Sequence, residues 1–354
     1  QMIGKKMKYS PSELIQLRRE KTDMRDRVFA ESIGLSEGEL IAAYCASGEA
    51  IRLNIDFFKF LENAHKLGPI MALTRNETAV SEITGAFSKV FPGKIISFTL
   101  GEIDLRIIGP NWAFGFAREI EIMKKKCATM QFFDHQGKAV FKMYQKDHTN
   151  MGEWKNLINL LKHDDQSGVI TVSPSIDQEQ KMQTFMPDIE KFRTKWASMT
   201  DVHQLHNILK EMKIDRHDAL KFVGQEYAHE LTLDAVELML DEAHNNQVPI
   251  MCFIGNHGCI QIFTGKIGPK KWHDNWLNLF DETFHLHMDI PSFAHIWSVR
   301  KPTKYGILHS IEVFNKSGEL VIQFFGQRQE QSAERSDWRN IVENLPPLGH
   351  SAVA

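Results

Sequence analysis

The segment Met199-Thr200-Asp201-Val202-His203-Gln204-Leu205-His206 places an imidazole where it can serve a ligand. Val202, Leu205, Ile208, Leu209 and Met212 recur at the period of a helix, with Thr200 as its expected N-cap. At about 100° per residue, His206 flanks that apolar stripe and His203 points nearly opposite it. His203 is therefore available to something outside its own helix. An ordinary solvated histidine is the competing reading.

Four further segments could carry chemistry. In Glu102-Ile103-Asp104-Leu105-Arg106-Ile107, strand alternation sets the apolar residues on one face and Asp104 and Arg106 on the other. Arg106 would then project into a cleft or into solvent. Arg300-Lys301-Pro302-Thr303-Lys304 holds three cations around a proline. It reads as a loop, either solvated or able to grip carboxylates or phosphates. The strand Leu320–Arg328 is apolar on both faces apart from Gln323, with Gly326 suggesting a bulge ahead of Arg328. A polar site at its end is the expectation. His285, His287 and Asp289 share one face of a strand, a formal metal-ligand set. Period-two alternation accounts for that face without a metal.

The elements that must position these residues occur twice. Met71 and Asn76 correspond to Met251 and Asn256, 180 positions on. Phe132–Lys138 corresponds to Val313–Glu319, with Gly137 and Gly318 181 apart. Trp154 corresponds to Trp338, 184 apart. Order is kept and the offset drifts slowly, so a whole domain is duplicated and no short-period solenoid is present. Residues 10–67 read as helical, 69–146 as short antiparallel strands, and the region around Trp154 as a helix. The programme repeats with helices at 188–246, strands at 248–328 and a last helix after 334. The expected fold is α+β: two tandem repeats, each an antiparallel sheet with helices to one side. The expected boundaries are an N-terminal repeat at 8–164, a linker at 165–187 and a C-terminal repeat at 188–345. Two such halves would form a cleft suited to a ligand.

A chain of 354 residues, 42% hydrophobic and 25% charged, suits two soluble domains of ordinary size. A net charge of −3 gives no basic field for nucleic acid. No apolar run approaches the roughly 18 residues that span a bilayer, so no membrane insertion is expected. No secretory leader is read at the start. Cys45, Cys127, Cys252 and Cys259 form no Cys-x-x-Cys pair. They fit a reducing cytoplasm, the expected location.

Together, Thr200–His203, Arg300–Lys304, the Gly255-Asn256 to Phe263-Thr264-Gly265 stretch and Phe325-Gly326-Gln327-Arg328 resemble the HemS/ChuS/PhuS haemin-degrading and haemin-trafficking family. The likeness runs in order from about residue 10 to residue 342. It implies one haem b in a cleft between the repeats, with His203 as axial iron ligand. It also implies that Arg106 reaches the opposite face of the haem, and that Arg216, Lys301, Gln323 and Arg328 contact propionates or the distal pocket. Phe325 lines that pocket where some relatives carry Tyr. Some relatives also have an aromatic residue at the position of Ile108. Others bind a second haem through a His at the position of Ser81, and serine is a poor iron ligand, so no second site is expected.

The resemblance implies oxidative haem degradation, releasing iron and a linear tetrapyrrole, with His203 and Arg106 as the catalytic residues and an external electron donor. No Gly-x-Gly-x-x-Gly loop is present to bind a dinucleotide. The alternative is a non-catalytic carrier or store that passes haem to a separate oxygenase. Expected partners are haem itself, a haem transporter at the membrane's cytoplasmic side, a separate oxygenase and a reductase.

Overall fold

The computed structural model describes residues 8–174, 186–329 and 331–349. The first half of the chain runs α1 (Pro11–Glu20), α2 (Asp26–Ser32), α3 (Glu37–Ala43), β1 (Ala50–Leu53), α4 (Phe57–Ala64), β2 (Ile70–Arg75), β3 (Ala79–Gly85), β4 (Lys89–Phe91), β5 (Ile96–Leu100), β6 (Asp104–Ile108), β7 (Phe114–Ile122), β8 (Lys125–Phe133), β9 (Ala139–Gln145) and α5 (Met151–Leu161). The second half runs α6 (Ile189–Ala197), α7 (Gln204–Met212), α8 (Arg216–Phe222), β10 (Ala228–Leu231), α9 (Ala235–Asn245), β11 (Ile250–Gly255), β12 (Cys259–Gly265), β13 (Lys270–His273), β14 (Trp276–Phe280), β15 (Phe284–Asp289), β16 (His295–Thr303), β17 (Gly306–Phe314), β18 (Leu320–Gly326) and α10 (Ser336–Glu343).

The duplication extends to defects in the ladder. The pairing of β8 with β9 shifts between Phe132 and Phe133, and that of β17 with β18 between Val313 and Phe314. A bulge at equivalent positions of both repeats is a built feature that bends each hairpin alike. The β1 and β10 strands were not foreseen. They interrupt the stretches 10–67 and 188–246, which read as wholly helical, and at four residues each they are too short to show a period.

The chain forms two compact units. One comprises the chain up to Arg75, Glu82–Ile176 and Gly255–Gln261; the other comprises Asn76–Ser81, Asp177–Ile254 and the chain from Ile262. The first unit holds the antiparallel strand run β1-β7-β8-β9-β2 and the run β6-β5-β4. Its core packs Leu14, Phe29, Leu40 and Ile41 of α1–α3 against Phe116 and Phe133 of the sheet. Two capping boxes, Ser10 with Glu13 and Ser36 with Glu39, set where α1 and α3 begin. Part of the expected linker, 175–185, lies outside the described residues. Its earlier part is packed: Ile170 and Val172 join this core.

The second unit holds the strand runs β10-β16-β17-β18-β11 and β15-β14-β13. Phe192, Trp196, Leu205, Leu209 and Leu220 of α6–α8 pack on Trp297, Val299 and Phe314. Two local expectations are corrected here. Arg300–Thr303 is not a loop but the end of β16, paired with Gly306–His309. Proline fits there because β10 reaches only as far as Val299, so Pro302 faces no strand on that side. Gly326 is no bulge either: it pairs regularly with Ile250, and a Cβ on it would lie 2.5 Å from Trp338 Cγ. Close packing of α10 requires the glycine.

Candidate functional site

Residues opposite one another in an antiparallel ladder project to the same face. Glu312 lies opposite Trp297 and Gln323, and Ser310 opposite Val299 and Phe325. Lys301 lies opposite Leu308, two residues before Ser310. Met251 and Phe253 of β11 continue the rows of Phe325 and Gln323. One sheet face thus gathers Lys301, Ser310, Glu312, Gln323 and Phe325 beside Met251 and Phe253. The residues between them, Ile311, Val313, Ile322 and Phe324, are buried on the other face.

Arg216 joins this face from the first turn of α8, whose N-cap Asp215 accepts from the N–H groups of His217 and Asp218. Its Nε donates to Glu312 Oε1 at 2.8 Å, and its terminal nitrogen donates to the same oxygen and to Gln323 Oε1 at 3.2 Å. Lys301 Nζ lies 3.8 Å from Glu312 Oε1 and 5.1 Å from the centroid of the Phe325 ring. Phe325 meets Phe253 edge-on at 5.3 Å.

Glu312 and Lys301 are buried, with 0% and 2% of their surfaces exposed. Burial pushes the Lys301 ammonium down to about 8, against the pull of Glu312 and with the push of Arg216. Burial pushes Glu312 up, but Arg216 and Lys301 outweigh it and hold the carboxyl below its usual range. Glu312 Oε2 and Ser310 Oγ are buried without a hydrogen-bond partner in the structure. An aromatic and aliphatic surface edged by two cations suits a flat apolar ligand bearing a carboxylate.

His203 sits at the start of α7, as its N-cap residue, in place of the expected Thr200. Gln204 displaces Thr200 from that role: its side chain accepts from the N–H groups of Thr200 and Asp201. The His203 side chain is 87% exposed, opposite buried Leu205 and Leu209. Asp201 Oδ1 receives the His203 backbone N–H at 2.8 Å and meets ring Nδ1 at 2.7 Å. The His203 backbone N–H is the main reason that the Asp201 carboxyl lies below its usual range, with the ring and Arg328 adding to it. An ionised carboxylate only accepts, so Nδ1 carries the proton and Nε2 presents its lone pair outward. This is the arrangement in which a carboxylate orients a histidine towards a metal.

Arg106, in the first unit, is held by its own surroundings. It donates to Asp104 Oδ1 at 2.6 Å and to the carbonyls of Thr99 and Leu105. Its guanidinium lies over Phe98 at 5.7 Å, and Phe98 stacks on Phe91 at 4.5 Å. Burial leaves Asp104 above its usual range despite that arginine.

The structure therefore brings Arg216, Lys301, Gln323 and Phe325 into one cluster and joins His203 to Asp201, while Arg328 donates to the Ser332 carbonyl at 3.5 Å. Glu312 and Ser310 escaped the sequence reading. A single carboxylate in Ser310-Ile311-Glu312-Val313-Phe314 looks like the solvated side of an alternating strand. Of the formal metal set, His287 Nδ1 pairs with Asn278 Oδ1 at 2.6 Å and Asp289 accepts from the Ser292 hydroxyl. Ser81 is buried.

A sequence profile of the haemin-degrading HemS.ChuX domain matches residues 34–161 and 213–345. The chain is 32% identical over 328 residues to the hemin transport protein HemS of Yersinia enterocolitica, covering 90% of this chain and 92% of that protein. Holo-PhuS, a heme-binding protein from Pseudomonas aeruginosa, superposes with a TM-score of 0.91 at 34% identity, covering 96% of this chain and 100% of PhuS. ChuS, a heme-degrading enzyme of Escherichia coli O157:H7, superposes at 0.85 with 30% identity, covering 96% and 99%. Two profile matches, one in each repeat, and full-length relatives of the same architecture show that this chain belongs to the haemin-degrading HemS/ChuX domain family.

Proposed function

We propose that this protein binds one haem b, with His203 Nε2 as the axial iron ligand, and degrades it to release iron. The Asp201–His203 pair carries this reading, because it fixes the ring tautomer and leaves one nitrogen directed outward. The cluster of Arg216, Lys301 and Gln323 would hold a propionate, while Phe253, Phe325 and Met251 would lie along the porphyrin edge. Arg328, whose charge acts on Asp201, would add positive charge on the side of the iron. Arg106 enters on family resemblance, as hydrogen-bond donor to the reacting oxygen.

Haem supplies the oxygen chemistry that opens its own ring. The protein's share is ligation, orientation and exclusion of water. Electrons must come from an external donor. The proposed setting is the cytoplasm, next to a haem transporter and a reductase. No helix among the described residues is long and apolar enough to cross a membrane.

Two measurements test this. Haemin added to the protein should give a sharp Soret band that His203→Ala alters; an unaltered band would sink the axial assignment. Single turnover with reductant, O₂ and catalase should yield iron and one tetrapyrrole isomer, more slowly in Arg106→Ala. If catalase abolishes degradation, the protein is a haem carrier serving a separate oxygenase.

A further inference from the structure

We infer that Glu312 is a positioning residue for carboxylate binding: its Oε1 draws Arg216 and Lys301 together, so that the site offers two cations against one anion to one carboxylate. The inference rests on the proposed binding of haem at this face and assigns a role to a residue that touches no haem atom in that reading.

Three observations carry it. Both cations converge on a single oxygen of one buried carboxylate, Arg216 through two nitrogens and Lys301 from the side. The other oxygen, Oε2, is buried and unpaired, so Glu312 is not simply a saturated core ion pair. Finally, the first repeat shows what the same positions do without this arrangement. Glu37 opens α3 as Arg216 opens α8; Gln131 and Lys142 stand 181 positions before Glu312 and Gln323. There Glu37 pairs with Lys142, one anion against one cation. The counterpart of Lys301 is Ile120. At these equivalent positions the first repeat therefore sets one cation against one anion, whereas the second sets two cations against one carboxylate.

The groups that act on Lys301 are Glu312 from β17, Arg216 from α8 and the Phe325 ring from β18. Glu312 is the one group that favours the charged amine strongly. Without it, Lys301 would sit buried beside an uncompensated guanidinium and lose its proton at lower pH. A bound carboxylate would act as Glu312 does and raise Lys301 further. Binding therefore takes up a proton near pH 8, and affinity falls as pH rises above the value of the free protein.

The test is a haemin titration from about pH 6.5 to 9.5, followed by tryptophan quenching and the Soret band, which also spans the free-protein value. Wild type, Glu312→Gln, Glu312→Asp and Lys301→Arg are compared. Wild-type affinity should decline through about pH 8, and Lys301→Arg should abolish that component. Glu312→Gln should move its midpoint down by about one unit, with binding weakened up to about tenfold above pH 8. Glu312→Asp should recover part of the shift. A folded Glu312→Gln protein with the wild-type midpoint overturns the inference. So does a wild-type profile that matches Lys301→Arg, whether or not Glu312→Gln folds. Failure of wild type to form any Soret complex instead overturns the haem reading itself.

Discussion

Asp201 and His203 are joined twice: one carboxylate oxygen meets both the backbone N–H of His203 at 2.8 Å and its ring Nδ1 at 2.7 Å. The first bond fixes the carboxylate and the second fixes the ring. An exposed histidine would otherwise sample its rotamers and both tautomers. The pair limits that freedom before any ligand arrives, which lowers the entropic cost of ligation.

Replacing Asp201 should therefore weaken iron ligation without removing the ligand. Asp201→Asn keeps an acceptor for Nδ1–H but replaces a charge-assisted hydrogen bond with a weaker neutral one. Haemin affinity should fall by about 10–100-fold, the range typical of lost outer partners of metal-bound histidine. His203→Ala should additionally change the Soret position. An Asp201→Asn protein that binds haemin as wild type does would show that the pair orients nothing.

The cation cluster makes a prediction about the ligand. Iron protoporphyrin dimethyl ester has the same apolar disc without carboxylate charge. Wild type should prefer the free acid, because Arg216 and Lys301 face one carboxylate with one net charge. Arg216→Ala should reduce that preference, mostly by weakening the acid. Competition between acid and ester measures it; an unchanged ratio in Arg216→Ala would place the propionates elsewhere.

How much of this was legible in the chain depends on sequence distance. The duplication was readable because each repeat keeps its Gly, Trp and Asn landmarks in order. His203 was readable because one helix carries both the apolar stripe and the residue opposed to it. The cluster was readable only in pieces. Arg216 and Glu312 stand 96 residues apart and meet through sheet register, which no local pattern encodes. Lys301 reads as a loop residue because a proline follows it, yet β10 ends before Pro302 and leaves the strand a side where no amide is needed. Its burial follows from that register and not from the charge run in which it sits.

Gly326 supports a stability prediction. A Cβ there would lie 2.5–2.8 Å from three atoms of Trp338, a fully buried side chain whose indole N–H donates to the His309 carbonyl at 3.0 Å. Neither partner can yield easily. Gly326→Ala should destabilise the protein by about 1–3 kcal/mol, the usual cost of overpacking a core. Gly306→Ala is a useful comparison, because no neighbour lies within 4 Å and only its φ of +116° opposes a side chain. Denaturant unfolding followed by tryptophan fluorescence measures both. A Gly326→Ala protein of wild-type stability would mean that α10 shifts freely on the sheet.

His217 gives the second unit a pH-dependent stability. Its ring stacks on Phe314, lies near His295 and accepts the Trp297 indole N–H at 3.2 Å, so the neutral form is the one that is packed. Burial, with help from Lys221 and His295, pushes it down from the usual 6.5 to about 4. The unfolded chain then binds a proton between those values that the folded chain refuses. Stability must fall as pH drops through this window, by about 1.4 kcal/mol per unit. Between pH 7 and pH 5 the loss should be about 2 kcal/mol. His217→Gln keeps an acceptor for Trp297 and removes the titration. Its unfolding free energy should therefore change less over the same interval, as measured by denaturant titration at the two pH values. An equal loss in wild type and variant would assign the acid sensitivity to carboxylates elsewhere.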